Sequence, residues 1–88
     1  MKDIMLFTRK DDPYCLQAKD WMREVLLAHP EYEDIPLTEL DVEEHADIVH
    51  RYRYSFLPVY FVGGEKACEC PLKRERIAEV FARAWRET

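Results

Sequence analysis

Short apolar runs and stretches of helical period alternate along this 88-residue chain in a single order, and that order leaves few folds open. The run IMLFT at 4–8 is apolar and β-compatible, so it reads as a buried first strand. RKDD then breaks the pattern. Asp12 followed by Pro13 is a helix start, because an Asp side chain accepts from free amides and proline suits the first helical position. Behind the pair, Cys15, Ala18, Met22, Val25, Leu26 and His29 recur at helical spacing, which predicts a helix over 13–28 that Pro30 stops. IPLTEL supplies a second strand at 37–40. Asp41 is placed to cap a second helix over 42–52, with Ala46 and Val49 inward. The third strand is 59–62, Gly63-Gly64 signals a tight turn, and 66–68 returns as a fourth strand. Over 72–85 the residues Ile77, Val80, Phe81, Ala84 and Trp85 form one apolar stripe, the mark of an amphipathic last helix.

The order is βαβαββα. It predicts one α/β domain over residues 1–88, with two right-handed βαβ crossovers and a closing antiparallel hairpin. No repeat, low-complexity stretch or linker interrupts it. Hydrophobic residues at 48% and charged ones at 35% exclude a disordered or collagen-like chain. The longest apolar run, FLPVYFV, is far short of the roughly 18 residues a membrane span needs. The opening MKDIMLFT is charged at once and lacks the apolar centre of a signal peptide, so the expectation is a cytoplasmic protein.

Acidic residues outnumber basic ones by 18 to 13, a net charge of −5, which argues against a nucleic-acid partner. The charge is unevenly spread. Residues 24–50 carry nine carboxylates and no Lys or Arg, while 73–86 carry five basic residues against two acidic ones. The plain account is a solvated surface; the alternative is a charge dipole that orients a partner. Cys15, Cys68 and Cys70 make an odd count, which does not suit a disulfide scaffold. They are redox groups, metal ligands or small core residues. C-x-C is tighter than the usual zinc spacing and no H-x₃-H partner exists, so no metal is expected. His29, His45 and His50 have no nucleophile or carboxylate at catalytic spacing and read as a helix end and surface positions.

With D-P-Y-C opening the first helix and F-L-P-V-Y-F-V leading into the third strand, the chain resembles the glutaredoxins of the thioredoxin-like fold over essentially its whole length. The resemblance implies a four-stranded mixed sheet flanked by helices. It places Asp12, Pro13, Tyr14 and Cys15 on the family's C-P-Y-C motif and the family's cis-proline on Pro58. In that family the proline exposes the backbone of the preceding residue, here Leu57, to an extended thiol peptide.

Position 12 is the decisive departure. Glutaredoxin chemistry needs a thiolate at the helix N-cap, where the dipole and free amides depress its pKa and from which it attacks a mixed disulfide. A carboxylate caps the helix but exchanges no sulfur. Cys15 matches the family's second cysteine; the helix-end field favours its thiolate while the Asp12 charge opposes it. Of the family's glutathione site, Arg9 matches a basic residue that holds a carboxylate. The G-G-C-D-D segment falls on Cys68-Glu69-Cys70-Pro71-Leu72, which keeps one cysteine and loses the glycines and aspartates. No cofactor is therefore expected.

Phe56 and Tyr54 precede Pro58, where the family contacts substrates, and an apolar Phe56 favours a peptide surface over a small charged ligand. Tyr14 is a further contact. Two functions follow. One is a weak or atypical thiol-disulfide redox protein using Cys15, the position of Asp12, and Cys70. The other is a redox-incompetent module that binds a protein or peptide through Tyr14, Phe56, Leu57 and Pro58; Arg9 and Pro13 complete the substrate-binding residues that the resemblance implies. The expected partner is a protein or peptide thiol, and the chain is expected to be a monomer.

Overall fold

In a computed structural model describing residues 1–88, strand β1 (Ile4–Thr8) lies inside a four-stranded sheet of order β2-β1-β3-β4. The edge strand β2 (Leu37–Asp41) pairs parallel to β1, with Ile4 opposite Leu37 and Thr8 opposite Asp41. On the other side β3 (Val59–Val62) pairs antiparallel to β1, and β4 (Glu65–Glu69) pairs antiparallel to β3. Tyr60 faces Cys68 but Phe61 faces Lys66, so Ala67 is an extra residue, a β-bulge on the outer strand. Gly63 and Gly64 turn the hairpin with φ of 56° and 86°, a region open to glycine without penalty.

Strand alternation divides the core between the two faces of the sheet. Ile4, Leu6, Tyr60, Val62 and Cys68 face α1 (Pro13–Ala28) and α3 (Arg74–Arg86). Phe7, Val59 and Phe61 face the opposite side, where Leu40, Val42 and Val49 cover them. The stripe Ile77, Val80, Phe81 and Ala84 of α3 is fully buried, and each large side chain contributes about 1.5–3 kcal/mol through removal from water. Trp85 stays more exposed and lies against Tyr32. No helix is long and apolar enough to cross a membrane.

Three expectations are corrected. The second helix, expected over 42–52 with Asp41 as its cap, is one turn, α2 (Ala46–Val49), with Ala46 exposed and only Val49 inward. The Asp41 side chain is used otherwise: its carboxylate accepts from the amides of Glu43 and Glu44 and, with the other oxygen, from Lys10. It closes a turn and ties it to the chain leaving β1. Four helical residues do not carry the chain back across the sheet, so β3 enters from the end at which β2 finishes and runs antiparallel. Only β1-α1-β2 is a parallel crossover. The last helix also starts later than expected, at Arg74 after Lys73, which leaves Leu72 outside it and exposed.

Candidate functional site

One end of the sheet collects the chain leaving β1, the segment entering β3 and the end of β4. There Asp12 caps α1: its Oδ1 accepts from the amides of Tyr14 at 2.9 Å and Cys15 at 3.1 Å. Pro13 follows at the first helical position, where its missing amide costs nothing. Cys15 is turned into the core and is only 2% exposed. Burial pushes its thiol above the ordinary range, and the Asp12 carboxylate adds to this against an opposing hydrogen bond from the Arg9 amide. Burial and the capping charge outweigh the Arg9 amide and the Arg9 guanidinium charge.

Opposite Asp12, the Leu57–Pro58 peptide is cis, and Pro58 is buried beneath the loop. Between these segments lies a groove of about 470 Å³. Tyr14, Asp12 and Arg9 line one wall; Tyr54, Phe56 and Leu57 line the other, with Cys70 and Leu72 at the end. Tyr14 is 57% exposed, Phe56 66% and Leu72 74%, an unusual grouping of large apolar side chains in water. Pro13 and Pro58 do not line it.

The three cysteines do not act together. Cys68 packs in the core under α3, and burial raises its pKa against the nearby Arg76 guanidinium. Cys70 is half-buried at the groove, beyond the end of β4, with φ of 43°, so extended geometry does not place both thiols on one face. No three His, Cys, Asp or Glu side chains gather to hold a metal ion.

Leu72, which lines the groove, and Glu69, which bonds to its wall, are not read as site residues in the sequence. Leu72 leaves a signal, an apolar residue directly after Pro71 and out of step with the α3 stripe. Glu69 leaves none. From β4 its Oε2 accepts from the amides of Ser55 and Phe56, both at 2.9 Å, and the side chain also pairs with Lys66. The Lys66 ammonium and these two amides hold its carboxyl down at about 2, from an ordinary 4.5. A group depressed on folding stabilises the fold fully above its unfolded pKa and loses that contribution as pH falls towards its folded pKa. Stability should therefore decline on acidification between about 4.5 and 2, with Asp41, also held low by its turn amides, adding to the loss. Urea midpoints measured across this window should show a flatter acid limb for Glu69→Gln. Superimposable limbs for the two proteins would show that the carboxylate is not linked to folding.

No family model and no curated protein matches the sequence. Solved structures do match it in shape. Oxidised thioredoxin from Plasmodium falciparum superposes with a TM-score of 0.69 at 12% identity, covering 93% of this chain and 79% of that one. Oxidised thioredoxin O2 from Arabidopsis thaliana gives 0.69 at 18% identity over 98% of this chain and 76% of that one. The chain has the thioredoxin fold. Oxidised glutaredoxin 2 from Chlamydomonas reinhardtii gives 0.52 at 13% identity over 93% and 73%. Of the segments that the sequence resemblance singles out, only Asp12, Tyr14 and Leu57 line the groove, together with Arg9, Tyr54, Ser55, Phe56, Cys70 and Leu72.

Proposed function

We propose that this thioredoxin-fold chain is a glutaredoxin-like module with a degenerate sulfur site, whose function is to bind an extended polypeptide segment in the groove beside Leu57 and Pro58. One observation carries the reading. The α1 N-cap, where thiol exchange needs a thiolate, holds the Asp12 carboxylate, and the only thiol on α1 is buried with a raised pKa. Three large apolar side chains remain exposed at that place, beside the exposed Arg9. Tyr14, Phe56 and Leu72 suit side chains of a peptide, and Arg9 and Asp12 suit its polar groups. Glutathione fits less well, because the aspartates of the family pattern are replaced by buried Pro71 and apolar Leu72.

A library of acetylated heptapeptides displayed against the protein tests this. Selected sequences should carry aromatic or aliphatic side chains, and Phe56→Ala should weaken the best of them at least tenfold. In a glutathione mixed-disulfide reduction assay the native protein should turn over near background. Failure to select any peptide, together with ordinary glutaredoxin turnover that Cys15→Ser abolishes, would overturn the proposal.

Cys70 favours a second reading, weak thiol exchange, since its half-buried thiol lines the same groove. Its thiolate would attack a bound partner's disulfide, forming a mixed disulfide and releasing the partner's other sulfur as thiolate. Cys70→Gly separates the two readings and suits the left-handed backbone there. Peptide binding should persist in the variant and any residual exchange should vanish.

A further inference from the structure

The loop that presents Phe56 to the groove has little regular structure of its own. Residues 55–58 sit between the short α2 and β3, and Phe56 is two-thirds exposed, so packing does not fix it. Leu57 and Pro58 pack inward at its far end, and its backbone is tied by Glu69 and the residue that follows it. Glu69 Oε2 accepts from the Ser55 and Phe56 amides, and the Cys70 amide donates to the Pro58 carbonyl at 2.7 Å. Glu69 is placed by the sheet, in register with Val59, and Cys70 follows it directly as the strand ends. Successive amides converging on one carboxylate oxygen form a small anion nest, and charge-assisted bonds of this kind are stronger than neutral ones. Lys66 holds the carboxylate from its other oxygen, Oε1, so Oε2 is left for the loop.

We infer that Glu69 is a positioning residue of the groove: by clamping the amides of Ser55 and Phe56 it sets the loop that carries the Phe56 ring, and so governs the affinity of this site for an extended peptide. The inference rests on the peptide-binding reading for its functional half, while its structural half stands on the loop alone. Reach and charge separate cleanly here. Glu69→Gln keeps an acceptor oxygen at the same distance, Glu69→Asp keeps the charge one methylene short of the amides, and Glu69→Ala removes both.

The test follows amide hydrogen exchange of Ser55 and Phe56 by NMR in all four proteins, beside affinity for the heptapeptide selected on the native chain. Exchange at both amides should accelerate at least tenfold in Glu69→Ala and Glu69→Asp, and by less than threefold in Glu69→Gln. Peptide affinity should fall at least fivefold in the first two variants and be largely retained in Glu69→Gln. Added acetate should slow exchange again in Glu69→Ala by entering the vacated nest. A general loss of structure would accelerate β1 and β3 amides as well, and acetate would not reverse it. Unchanged exchange at Ser55 and Phe56 in Glu69→Ala overturns the clamp. Accelerated exchange with unchanged affinity overturns its role in binding. If no peptide binds the native chain, the functional reading fails, and the exchange rates still decide the clamp.

Discussion

Replacing Asp12 by cysteine should turn an unreactive protein into one with a nucleophilic thiol. Asp12 occupies the cap of a sixteen-residue helix and accepts from the first free amides. A sulfur at that point meets the same amides and the positive end of the helix dipole, which favour thiolate. The substitution also removes the carboxylate that helps to raise the Cys15 pKa. The introduced thiol should titrate below the ordinary value of about 8.5, and each unit of depression raises the thiolate fraction at neutral pH roughly tenfold. Oxidation with diamide should join it to Cys15. Loss of the cap should destabilise the reduced protein by about 0.5–2 kcal/mol. Thiolate absorbance against pH, with alkylation rates at neutral pH, measures the outcome. Glutathione-dependent turnover should rise only in part, because Pro71 and Leu72 are unchanged. An introduced thiol with an ordinary pKa and slow alkylation would show that this helix end does not activate sulfur.

The other large effect is expected in the core. Phe7 is fully buried on the α2 side of the sheet. Its ring meets Tyr52 edge-on at 5.3 Å and Tyr54 at 5.6 Å, and packs on Phe61 at 5.1 Å. Phe7→Ala removes the centre of this group and leaves a cavity beside Phe61, which β3 holds in place. The cost should be about 3–5 kcal/mol, a large part of the 5–15 kcal/mol that holds such a domain together. Thermal unfolding followed by circular dichroism should shift down by roughly 15–30 °C. Because Tyr54 also lines the groove, peptide binding should weaken even at temperatures where the variant is folded. A loss below about 1 kcal/mol would mean that the aromatic group collapses around the gap.

How much of this was legible in the sequence depends on what fixed each element. Pro13 and Pro30 bracket α1, and Asp12 caps it, because backbone restrictions act locally and leave a local record. β1 and β3 were equally plain, since central strands of this sheet are buried on both faces and read as continuous apolar runs. The stretch 42–52 misled because its helical pattern is weak and Asp41 can cap a helix or close a turn; long-range ties to Lys10 decided for the turn. The balance of effects on Cys15 was illegible for a related reason. Its two local influences oppose each other, and the burial that tips them comes from packing across the whole domain. Glu69 bonds to amides fourteen and thirteen residues away, and a side chain that answers to distant backbone has no spacing to reveal it.

The bulge at Ala67 has a consequence beyond the shape of the hairpin. An outer strand exposes a comb of unsatisfied amides and carbonyls, and a neighbouring molecule can zip onto a straight comb to seed a growing fibre. Here the extra residue throws that comb out of step midway, and Glu65, Lys66 and Glu69 crowd the five-residue border with charge. The opposite border, β2, carries Glu39 and Asp41 in its short length. A chain that keeps bare aromatic rings at one end of its sheet is thus guarded along both sides, where a growing fibre would have to start.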